Sequence, residues 1–93
     1  MIDAINHVVL QGVTTGRVEA FHDSNLFLFT IASPRVDCVC SVYPCQLAEL
    51  VSIMNGNKLN VVVYGSLSSY RSLGIFVSQV DVLIDGRWCV FVV

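Results

Sequence analysis

An all-β barrel of five strands, with one short helix between the third and fourth strands and an added C-terminal strand, is the fold class this 93-residue sequence predicts. Runs rich in β-branched and aromatic residues recur along the chain, separated by clusters of Gly, Ser, Asn and Pro. One helical stripe interrupts them: Leu47, Leu50, Val51 and Met54 recur at i, i+3, i+4 and i+7. A long hairpin follows, from Lys58 to Leu83, with reach enough to curl round and close the sheet. A chain of this length has room for a single domain, residues 1–93.

Ile5 to Val18 begins the sheet, with Val8, Leu10 and Gly12 alternating against Val9, Gln11 and Val13. Gly12 suits a bulge or a close-packing point, and Thr14-Thr15-Gly16 a bend, after which Arg17 and Glu19 alternate with Val18 and Ala20. Phe21 to Asn25 is a polar loop. Leu26 to Ala32 is a strand with Phe27, Phe29 and Ile31 on one face and Leu26, Leu28 and Thr30 on the other, and pattern alone assigns neither face to the core. Ser33-Pro34-Arg35 turns the chain into Val36 to Tyr43, whose row Val36, Cys38, Cys40 and Val42 is expected to face inward.

Pro44 can open the helix, because its missing N–H costs nothing in a first turn, and Asn55-Gly56-Asn57 closes it. Leu59 to Tyr64 and Ile75 to Leu83 are the arms of the long hairpin, with Gly65 expected to let the first arm coil sharply and Ser68 to Ser72 forming a polar tip. Ile84-Asp85-Gly86-Arg87 carries the strongest turn signal, since Asp-Gly tolerates the positive φ of a tight primed turn. Trp88 to Val93 then folds back along Val80 to Ile84 as the sixth strand.

Apolar residues make up 55% of the chain and charged ones only 13%, against about 25% in ordinary soluble domains. Such a composition asks for burial beyond one small core, so a homo-oligomer is expected, with Trp88, Val90, Phe91 and Val92 at the interface. Five basic and seven acidic residues give a net charge of -2, which excludes a large electrostatic footprint on nucleic acid but not a small groove. Cys38, Cys40, Cys45 and Cys89 have neither Cys-x-x-Cys spacing nor neighbouring histidines, so reduced, mostly buried thiols are expected and no metal or cofactor. The first residues do not read as a signal peptide and the last apolar run is too short to span a bilayer, so a cytoplasmic location without membrane contact is expected. No nucleophile and base, paired carboxylates or phosphate loop are arranged as an enzyme needs; His22 beside Asp23 has no matching serine or cysteine context.

The segments Asn6-His7-Val8-Val9-Leu10-Gln11-Gly12, Val61-Val62-Val63-Tyr64-Gly65-Ser66-Leu67 and Val77-Ser78-Gln79-Val80-Asp81-Val82-Leu83 resemble the oligonucleotide-binding (OB) fold. The likeness is to bacterial single-stranded DNA-binding proteins and the primosomal replication protein N group, over roughly residues 5 to 84. The resemblance implies a single OB domain that binds single-stranded DNA, RNA not being excluded, as a dimer or tetramer in replication, recombination or repair. The chain departs from that pattern in its single tryptophan, Trp88, and its five Lys or Arg. A single-strand groove needs stacking rings and phosphate contacts. Candidates are Tyr70 and Arg71 at the long hairpin's tip, Phe21 and His22 in the first loop, the strand residues Tyr43 and Tyr64, and Arg17, Arg35 and Lys58. Each also fits a plainer role: a polar tip, a plug of the barrel end, core or interface burial, or a solvated charge. An OB-like structural or adaptor subunit that binds protein through its apolar strands is the alternative reading.

Overall fold

The structure, a computed structural model, describes residues 6–21, 26–35, 37–42, 48–68 and 74–92. Its elements are β1 (Val8–Phe21), β2 (Leu26–Ala32), β3 (Asp37–Val42), α1 (Ala48–Met54), β4 (Asn60–Ser68), β5 (Gly74–Ile84) and β6 (Arg87–Val92). The strands bond in the order β3-β2-β1-β4-β5-β6, and β3 also meets β5 in parallel through Cys40↔Ile75 and Ser41↔Phe76. That short seam closes the first five strands into a barrel. β6 lies outside it, along the rest of the same β5 edge, from Gln79 to Ile84. The five-strand closure, the helix between β3 and β4 and the added C-terminal strand thus match the predicted class.

Closure depends on two irregularities that let strands bend. In β1 the pairing with β2 slips between Thr14 and Val18, so residues 15–17 bulge opposite Thr30 alone, with Gly16 at φ 84°. The bend anticipated at Thr14-Thr15-Gly16 is this bulge. It lets β1 pair with β4 through Val8–Val13 and with β2 through Val13–Phe21. Buried Thr14 stitches it to the chain entering β4: its Oγ1 donates to the Asn57 carbonyl at 3.0 Å and accepts from the Leu59 N–H at 2.9 Å, while Gly56 N–H donates to the Gly16 carbonyl at 2.8 Å.

The second irregularity lies on β5. Tyr64 pairs with Gln79 but Gly65 with Val77, leaving Ser78 as an extra residue whose hydroxyl donates to the Tyr64 carbonyl at 3.0 Å. The inward parity flips there: Ile75 and Val77 are buried before the bulge, Val80 and Val82 after it. Gly65 therefore serves the bend by close approach, since a Cβ on it would stand 2.2 Å from the Phe76 carbonyl oxygen, and β4 runs on past it to Ser68. Gly12 is a close-packing point rather than a bulge, because its Cβ would meet Ile31 Cγ2 at 2.3 Å.

Phe29 and Ile31 of β2, Cys40 of β3, Val61 and Val63 of β4, and the four buried β5 residues form the core, closed at one end by Leu50 and Met54 of α1. Each such aliphatic side chain contributes about 1.5–3 kcal/mol of burial. The ambiguity of β2 is thereby settled: Phe27, Phe29 and Ile31 turn inward, and Leu28 and Thr30 stay half-exposed outside. Cys38 packs beside Cys40 as expected; Val36, Pro44, Leu47 and the side chain of Val42 lie outside the described residues. Gly56 ends α1 at φ 81°, and Asp85 and Gly86 take φ 51° and 76° in the predicted primed turn. Among the described residues no helix is long and apolar enough to cross a membrane.

Candidate nucleic-acid interface

Because β1 pairs with β4 over its first half and with β2 over its second, the barrel has two outer faces. The first spans the early half of β1, then β4, β5 and β6. Register places its outward residues in rows: Val9, Tyr64, Gln79, Val92; then Gln11, Val62, Asp81, Val90; then Val13 and Asn60, with Leu83 and Trp88. Five apolar residues here are openly exposed, from Val13 at 38% to Val92 at 62%. At the centre Tyr64 Oη donates to Asp81 Oδ2 at 3.2 Å and Gln79 Nε2 donates to Asp81 Oδ1 at 2.9 Å. Loss of solvent, then the nearby Asp81 charge and the bond to it, hold the Tyr64 phenol above its ordinary pKa.

The second face spans the late half of β1, then β2 and β3. Its outward residues are Arg17 and Glu19 on β1, Leu28 and Thr30 on β2, and Asp37, Val39 and Ser41 on β3, with Glu19, Leu28 and Ser41 in one register row. Ser41 Oγ donates across the seam to the Ile75 carbonyl at 3.4 Å. This is the polar face, and Arg17 is its cation among the described residues.

The strand ends around this face border one stretch of β3 at its two ends. Phe21 closes β1 opposite Leu26, and the next β2 residue, Phe27, pairs with Val42 of β3. Gly74, which opens β5 after the long hairpin, approaches so closely that a Cβ on it would stand 2.6 Å from the Val39 carbonyl. Both connections, residues 22–25 and 69–73, therefore spring from strand ends beside Val39–Val42. His22, Tyr43, Tyr70 and Arg71 themselves lie outside the described residues, as does the side chain of Phe21.

The remaining candidates divide. Arg17, Arg35 and Lys58 are exposed around one end of the barrel, where Ala32, Val13 and Asn60 share a register row and the β1 bulge is bonded to residues 56–59. Arg87, which the sequence reading passed over, opens β6 near the same end. Tyr64 stands apart, on the apolar face. Of the expected interface residues, Trp88, Val90 and Val92 share that face, whereas Phe91 turns to the core side opposite Val80. Thr30, Val39 and Ser41 were not singled out from sequence, because their neighbourhood with Arg17 depends on the size of the β1 bulge.

A shallow hollow of about 330 Å³ opens over the β5 bulge, lined by Asn6, His7, Gly65, Ser66, Phe76, Val77 and Ser78. Asn6 acts there as a strand residue would: its side-chain amide donates to the Leu67 carbonyl at 3.1 Å and accepts from the Leu67 N–H at 2.8 Å. Among the described residues no three His, Cys, Asp or Glu side chains cluster to hold a metal ion. Cys38, Cys40 and Cys89 are free thiols, and burial pushes Cys38 and Cys40 upward in pKa, away from the reactive thiolate. Compared with known proteins, the chain matches no family model and no curated relative.

Proposed function

We propose that the protein is a cytoplasmic, non-enzymatic OB-type barrel that binds single-stranded nucleic acid along its β1-β2-β3 face, in DNA replication, recombination or repair. One observation supports this reading: the strand ends flanking residues 22–25 and 69–73, which bear or adjoin Phe21, His22, Tyr70 and Arg71, border the two ends of the same stretch of β3, Val42 and Val39. Bases would stack on rings from the two loops, while Arg17, Arg35 and Lys58 take phosphates. Stacking tolerates any base, and each phosphate that a cation neutralises adds affinity at low salt.

Anisotropy of a labelled single-stranded oligonucleotide, titrated at several salt concentrations, tests the proposal. Affinity that falls with salt and drops roughly 5- to 150-fold in Tyr70→Ala is the expected result, a stacked base contributing about 1–3 kcal/mol. Undetectable binding at high micromolar protein in low salt would overturn it. The adaptor reading is favoured by a different observation, the exposed apolar rows on the β1-β4-β5-β6 face.

A further inference from the structure

We infer that the β1-β4-β5-β6 face is a self-association surface on which a second copy of this chain packs, sheet against sheet. Four strands about 4.8 Å apart, read over five residues at about 3.4 Å each, project roughly 330 Å². Side chains standing off that plane and the bordering strand ends add to it, toward the roughly 600 Å² per copy at the lower bound for a specific dimer. Val9, Val13, Trp88, Val90 and Val92 are between 38% and 62% exposed there, a concentration of apolar surface that a monomer leaves in water.

Charge and shape select a second copy as the occupant. The face carries one formal charge, Asp81, and both of its oxygens already accept hydrogen bonds from Tyr64 and Gln79. A single anion gives a highly charged partner little to pair with, and these bonds from neutral donors offset part of its desolvation when a second copy covers the face. A twofold axis parallel to the strands lays β1 of one copy over β6 of the other, with sheets about 10 Å apart. In that arrangement small Val13 meets large Trp88 of the second copy and Val9 meets Val92. Asp81 meets Val62 of the second copy, not the second Asp81, so the like charges stay offset. Phe91, whose side faces the core, takes no part.

Light scattering at about 20 µM tests this without nucleic acid, so its failure leaves the single-strand reading untouched. The expected mass is twice the 10.2 kDa of one chain. Val9→Glu and Val90→Glu, on opposite flanks of the face, each raise the dimer dissociation constant tenfold or more, while Leu28→Glu on the other face leaves it unchanged. Trp88, the one tryptophan, gives a readout that needs no variant: acrylamide quenches it at least twofold more strongly after dilution to 0.1 µM-order concentrations, roughly two hundredfold below the scattering experiment. A single-chain mass up to about 100 µM overturns the inference, as does a mass that rises only when another protein is added. So does a dimer that survives both glutamates.

Discussion

Across β1-β4-β5-β6 the exposed side chains include Val9, Val13, Trp88, Val90 and Val92, whereas across β1-β2-β3 they are Arg17, Glu19 and Asp37, yet β1 contributes to both sets. The difference begins at residues 15–17. Up to that bulge β1 presents Val9 and Val13 to solvent on the first face, and from it onward Arg17 and Glu19 on the second. A bend in one strand thus divides a small barrel into an apolar face and a polar one. The two proposed partners, another copy and a single-stranded nucleic acid, would then not compete for surface.

Disturbing the frame common to both faces has the largest effect. Gly65→Val places a branched side chain where even a Cβ would stand 2.2 Å from a carbonyl oxygen, and β4 and β5 must part. Overpacking on this scale costs about 3 kcal/mol or more, and thermal melting followed by circular dichroism drops by roughly 12 °C or more. Thr14→Val comes next. It removes the hydroxyl that serves the Leu59 N–H and the Asn57 carbonyl, costing about 1–3 kcal/mol in urea unfolding.

Arg17→Ala acts on the polar face alone. It lowers the slope of log affinity against log salt by about 0.7 for a single strand, and it leaves the dimer mass and the urea midpoint where they were. A fall in dimer mass in that variant would break the separation of the faces. A last test is the pH dependence at the seam. Burial raises the Cys40 thiol, so the folded chain keeps a proton that the unfolded chain releases near pH 9. Stability is full below that pH and declines as pH rises above it. Repeating urea unfolding from pH 8 to 10.5 shows the decline, and Cys40→Ala makes it shallower.

Strand order and the helix were legible because they rest on local signals: alternation in Val36–Tyr43, the stripe Leu47 to Met54, and Asp85-Gly86 between two β runs. The Ser78 bulge was not, since nothing local distinguishes an extra residue in Val77-Ser78-Gln79 until Gly65 and its partner strand are brought together. The division of the outer surface was hidden for the same reason. Trp88, Val90 and Val92 could be read as one face of a strand, but Tyr64 joins them only through the registers of β4, β5 and β6. Phe91 was grouped with them by hydrophobicity, and period two places it opposite.

Chemical-shift mapping of backbone amides during titration with a single-stranded oligonucleotide tests the assignment of the two faces most directly. Resonances of Arg17, Thr30, Val39 and Ser41 should move, and those of Val9, Val62, Trp88 and Val90 should stay in place. Movement concentrated on the second group, or none on the first, would contradict it.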